Sequence, residues 1–288
     1  MGKAMKKIME LLDEAVERCI EGYVVCYTGV YNPSRKRELR IFDLENGKVV
    51  MSAEIEDILT SAAFYKGELY LGTTFDGVEV WKGKKTIYKG GSMNQLFTYR
   101  GALWGLTPSR IVKLSGRTFF SREKKISNLG EREARWISFK GRDAYIQYGE
   151  SSGTLVISKF DFEKGEILDE ICREEWSDAI SQFEFVNKEW IITCGSSAGL
   201  VAYNTESGER VEVYKRSSPR FLIKEREEYV EIIASESGVR PSYLILIKSD
   251  EEFKNVDVKR IKVDVEYLRP LLLASWELIK MLEERNGG

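Results

Sequence analysis

The sequence predicts an all-β fold: a ring of four-stranded sheets, six by spacing with seven as the alternative count, with a short helix at each end. Two observations carry this. A hairpin of two apolar runs joined by a small polar turn recurs along the chain, and a second, more polar hairpin recurs in step with it. The stretch from Ala15 to Val265 divides into six copies of about 42 residues, against ~40–45 for a repeat of four short strands. The clearest copy is 62–89, AAFYKGELYLGTTFDGVEVWKGKKTIYK, which reads as four strands and three tight turns.

In chain order, residues 3–13 read as a helix, with Met5, Ile8, Met9 and Leu12 at three- and four-residue steps. The division expected is therefore 1–14 N-terminal helix, 15–267 repeat domain and 268–288 C-terminal helix and tail. Residues 14–21 read as more helix or as a strand, and both stay open. The inner hairpins are 16–29, 62–73, 96–107, 137–149, 183–195 and 222–234. Gly22, Gly67, Gly101 and Gly141 hold the turn in the first four, where positive φ is needed. The outer hairpins are 38–55, 77–90, 109–122, 154–171, 199–215 and 242–261. Three share a signature, IFDLENGK, KFDFEKGE and AYNTESGE, which set Asp43, Asp161 and Asn204 four residues before Gly47, Gly165 and Gly208. An Asx side chain closes such a turn by accepting from the backbone ahead, and the glycine takes the left-handed position.

This Asx-x-x-x-Gly turn between the two outer strands resembles the blade turn of WD40-type and quinoprotein-type β-propellers, over about 15–265. The Gly-His and Trp-Asp marks of WD40 repeats are absent, since the chain has no histidine and no Trp followed by Asp. The resemblance implies a single β-propeller whose innermost strands line a central channel. Ligands are then expected at the channel entrances and on the face that carries the second-to-third-strand loops and the blade links. A β-sandwich or barrel of hairpins is the alternative. A ring must stitch its first blade to its last; the innermost strand of blade one is expected from 15–21 or from 258–268. From Pro270 the tail reads as a helix, with proline in its first turn and Lys280 and Arg285 near its end. It is apolar on most sides, so it is expected to be covered by the propeller, by the N-terminal helix or by a second subunit; the terminal helices are thus candidates for self-association.

Composition excludes several chemistries. Net charge is -2 and no histidine is present, which removes the imidazole base and the commonest zinc ligand. The four cysteines, at 19, 26, 172 and 194, form no C-x-x-C pair. Cys19 and Cys26 read as buried thiols, a disulfide between neighbouring strands being the alternative. No metal and no cofactor are expected. No secretory leader and no membrane span are seen, so a cytoplasmic protein is expected. The chain is rich in Glu and Lys and holds glutamine only at 95, 147 and 182, a bias that predicts a heat-adapted (thermophile) source.

Candidate binding residues follow from the repeat register. Six residues before each inner turn stand Ser61, Gln95, Arg135 and Gln182, with Arg220 the nearest equivalent in the sixth copy. They predict a channel mouth of amide and guanidinium donors with no carboxylate at that level. The loops and links of the same face contribute Arg35, Lys36, Arg37, Arg110, Lys124, Lys125, Lys215, Arg216 and Arg240, while the opposite turns carry Glu45, Glu163, Glu206, Glu251 and Glu252. A face polarised in this way steers acidic partners. Trp176, in the link REEWSDA, is a candidate interface anchor. The function these features suggest is a non-enzymatic protein–protein interaction platform that uses the partly basic, loop-rich face. Nucleic-acid binding by that face is the alternative. A histidine-free hydrolase is the second, with Glu184 and Asp76 as its carboxylates.

Overall fold

The structure is a computed structural model. It describes residues 22–29, 36–75, 77–81, 85–115, 122–149, 154–175, 180–187, 189–195, 199–216, 220–226, 229–236, 241–275 and 277–281. The N-terminal segment 1–21, and with it the helix expected at 1–14 and Cys19, lies outside these residues, as do Arg35, Asp76, Trp176 and Arg240.

The strands form six antiparallel four-stranded sheets, the six blades of a β-propeller. Blade one holds β1 (Tyr23–Thr28), β2 (Arg37–Asp43) and β3 (Val49–Ile55). Blade two is β4 (Leu59–Tyr65), β5 (Glu68–Thr73), β6 (Val78–Val80) and β7 (Lys85–Tyr88). Blade three is β8 (Gln95–Tyr99), β9 (Ala102–Leu106), β10 (Arg110–Lys113) and β11 (Arg122–Lys125). Blade four is β12 (Glu133–Lys140), β13 (Asp143–Gly149), β14 (Thr154–Asp161) and β15 (Glu166–Glu175). Blade five is β16 (Ile180–Phe185), β17 (Trp190–Gly195), β18 (Gly199–Asn204) and β19 (Arg210–Tyr214). Blade six is β20 (Phe221–Glu225), β21 (Val230–Glu236), β22 (Ser242–Ser249) and β23 (Val256–Val263). The chain then enters β24 (Leu268–Leu273), which pairs antiparallel with β1 and is the innermost strand of blade one.

Closure therefore departs from expectation. The stretch from Pro270 is not the start of a helix: Leu268–Leu273 is a strand, with Pro270 opposite Cys26 where the register shifts. A proline donates no N–H to a ladder, and a bulge is where a sheet tolerates one. The apolar run that looked like a helix face has one reason to be continuous, since an innermost strand meets protein or channel on both faces. The closing strand comes from the C-terminal side, beyond the 258–268 stretch. The helix that remains, α1 (277–281), follows it. Ala274, Leu278, Ile279 and Met281 are buried in one cluster with Val25, Leu69 and Leu71, so blades one and two cover the helix.

The core is distributed between blades. Six apolar clusters sit one at each blade junction, from one–two through to six–one. No blade buries both of its faces without a neighbour on each side, as expected of a repeat fold. The inner hairpin turns behave as their sequence demands: Lys66 and Gly67, and Arg100 and Gly101, all have positive φ, which suits two-residue turns that follow the sheet twist. Gly22 is the exception among the turn glycines expected, with no positive φ.

The outer turns match the Asx signature. Glu45 N–H donates to Asp43 Oδ1 at 2.7 Å, Lys164 N–H to Asp161 Oδ1 at 3.0 Å, and Glu206 N–H to Asn204 Oδ1 at 2.9 Å. Gly47, Gly165 and Gly208 stand at φ 70, 75 and 75° and donate to the carbonyls of Asp43, Asp161 and Asn204. Two of these turns dock on the outer strand of the preceding blade. A Cβ on Gly47 would come within 2.5 Å of Ile261 Cγ2, and one on Gly165 within 3.1 Å of the Lys125 carbonyl.

Candidate functional site: the central channel

The six innermost strands, β24, β4, β8, β12, β16 and β20, surround a channel of about 690 Å³. The antiparallel order puts the starts of these strands on the face of the blade links and their ends on the face of the inner hairpins.

Of the five residues expected at the mouth, Ser61, Gln95, Gln182 and Arg220 line the channel, and the first three bond a neighbouring blade. Gln95 donates to the Ile137 carbonyl at 2.9 Å and accepts from Ile137 N–H at 2.7 Å, a two-bond staple from blade three to blade four. Gln182 does the same to Phe221, at 2.8 and 3.1 Å, from blade five to blade six. Ser61 Oγ accepts from Leu96 N–H at 2.8 Å, from blade two to blade three. All three side chains are buried. An inner strand has a backbone edge facing the next blade, and an amide, with one donor and one acceptor, matches that edge. Arg135 is not among the lining residues: its guanidinium lies against Gly149 of β13. Arg220 does line the channel, with its guanidinium 4.6 Å from the Trp136 ring centre.

The register placed no carboxylate at the mouth, and Glu184, singled out as an acid, lies just below that level. Glu184 lines the channel and serves the junction of blades four and five, accepting from Trp136 Nε1 at 2.8 Å and Ser138 Oγ at 2.6 Å. Some of its surface faces the lumen, yet protein surrounds it. This burial pushes its carboxyl up to about 7, against the opposing pull of bonds from Ser138, Trp136 and Gln182 and of the Arg220 charge. Burial, and then the charge of Arg269, bring Arg220 down to about 10. Arg269, on β24, donates to the Tyr267 hydroxyl through Nε at 2.9 Å and to the Leu59 carbonyl at 2.9 Å, tying blade one to blade two. The signal for Glu184 was available as an acid inside an inner strand; its indole and hydroxyl donors come from another blade and leave no spacing to read.

Paired carboxylates are not gathered here. Glu184 is the one acid among the described lining residues, and Asp76 lies outside the described residues. Among the described residues, no group of three or more His, Cys, Asp or Glu side chains could hold a metal ion, and no helix is long and apolar enough to cross a membrane. Cys26 is a buried thiol, its ionisation pushed up by burial.

The cations expected on the link face stand mostly beside acids. Lys36 pairs with Glu54 and Arg110 with Glu123; Lys215 meets Glu212 at 3.0 Å and Arg216 meets Glu236 at 2.8 Å. Arg37 donates to the Glu56 carbonyl at 2.9 Å. Lys124 reaches the outer turn of blade four, donating to the Glu163 carbonyl at 2.5 Å, and Lys125 is its neighbour on β11. Phe75, in the loop between β5 and β6, is 69% exposed on this face and was not among the expected site residues. A side chain's exposure in a loop follows no periodicity.

No protein-family model matches the sequence, and no curated protein matches it. Among solved structures, the chain is similar to the WD40 domain of Neurospora crassa Pan2, at 10% identity and a TM-score of 0.42, covering 74% of this chain and 81% of that one. The chain is a β-propeller of six four-stranded blades.

Proposed function

We propose that the chain is a non-enzymatic interaction platform that takes a protein partner on the face of the blade links. Phe75 carries this reading. A phenyl ring with 69% of its surface in water contributes little to the core, and an exposed aromatic on a loop is the kind of side chain that anchors an interface. Arg37, at the start of β2 on the same face, donates to a carbonyl and not to a carboxylate, so the partner expected offers an apolar pocket with an acidic rim. Protein is favoured over nucleic acid because Lys36, Arg110, Lys215 and Arg216 each already face a carboxylate, which lowers the net charge offered to phosphates. The channel polar groups support a non-enzymatic role, since Gln95, Gln182 and Ser61 are engaged between blades.

The test is co-purification from the native cell with three baits: the unmodified chain, Phe75→Ala, and Lys36→Glu with Arg37→Glu. A partner held by the first and lost from both variants, whose thermal unfolding stays within a few degrees, supports the reading. Retention by both variants at parental yield counts against it.

A further inference from the structure

The channel is amphipathic along its axis. Toward the link face stand Arg220 and Trp136; further along the same strands the wall is Phe139, Phe185, Ile223 and Leu272, with Glu184, the last but one residue of β16, beside them. At the polar end Arg220 feels the charges of Arg269 and of Glu184, so among these three groups the cations outnumber the acid. The volume, about 690 Å³, falls among those of sites that enclose small molecules, about 300–1,000 Å³. The mouth amides are engaged with backbone, which leaves charge and apolar contact to select a ligand.

We infer that the channel binds a small amphiphilic monocarboxylate, a free organic acid whose head group meets Arg220 and whose hydrocarbon tail lies along Phe139, Phe185, Ile223 and Leu272. A guanidinium matches a carboxylate with parallel charge-assisted hydrogen bonds. Each buried methylene strengthens binding about three- to fourfold, so affinity rises with tail length until the apolar half is filled.

The inference goes beyond the interaction platform and stands apart from it. Titration calorimetry of the full chain with octanoate, octan-1-ol and octylammonium tests it. Octanoate is expected to bind once per chain and at least tenfold more tightly than the alcohol or the amine, with hexanoate weaker by about tenfold. Arg220→Gln is expected to weaken octanoate at least tenfold with unfolding unchanged, and Phe75→Ala to leave octanoate affinity as it was. Absence of octanoate binding at millimolar concentration, equal binding of the three head groups, or full affinity in a folded Arg220→Gln chain overturns the inference. The head-group series uses the unmodified chain, so it decides the matter even if Arg220→Gln does not fold.

Discussion

Glu184 shows how far a neighbouring blade sets the chemistry of one side chain. On β16 alone it is an acid on an inner strand; with Trp136 and Ser138 beside it, it is a buried carboxyl that holds its proton up to about pH 7. The sign of the consequence follows from linkage. Between the ordinary value of 4.5 and about 7 the folded chain binds this proton and the unfolded chain releases it, so stability falls as pH rises across that window and levels off above it. Glu184→Gln is expected to remove this fall. In urea unfolding at a series of pH values, the variant gains on the parent from about pH 4.5 to 7, by roughly 3 kcal/mol at most. A constant difference between the two across the series sinks the assignment. The groups that face Glu184, namely Trp136, Ser138, Gln182 and Arg220, include no other acid to supply the same slope.

The outer turn gives a sharper comparison, because similar local geometries meet different surroundings. Gly47 and Gly208 have φ of 70 and 75°, a region that costs an alanine about 1 kcal/mol. At Gly208 the added methyl would meet only the Tyr203 hydroxyl, at 3.8 Å; at Gly47 it would run into Ile261 at 2.5 Å and the Lys262 carbonyl at 3.2 Å. Gly208→Ala is expected to cost about 1 kcal/mol and Gly47→Ala about 2–4 kcal/mol, the excess being the strain of overpacking against blade six. Equal losses in chemical denaturation would show that the docking of this turn adds nothing. The three Asx turns were legible because each needs a named residue at a fixed spacing. Blade six hides its own version: Asp250 accepts from Lys254 N–H at 2.9 Å, but the positive φ falls on Phe253, at 57° and buried, and no glycine marks it. Gln95 and Gln182 were legible as a register. Their role was not, since the backbone they bind belongs to another repeat.

At the scale of the molecule, the repeat length gave the blade count and the apolar alternation gave the hairpins, but the closing strand was misread. The Leu-rich run beginning at Pro270 satisfies a helix start and an innermost strand alike, and only its pairing with β1 separates them. Ending the chain at Tyr267 is expected to leave β1 with an open edge and the clusters at blade junctions one–two and six–one incomplete. Such a chain is expected to aggregate or to lose its cooperative unfolding transition, read by light scattering and circular dichroism, and a soluble monomer with parental stability would refute the role given to β24.

That pairing also has a bearing on synthesis. Thr28 is synthesised well before its partner Leu268, so the inner edge of β1 lacks this pairing while the other five blades are translated. Such distant partners make the last step slow to find. Until it happens the nascent chain is an unfinished circle whose bare strand edge can pair with another molecule.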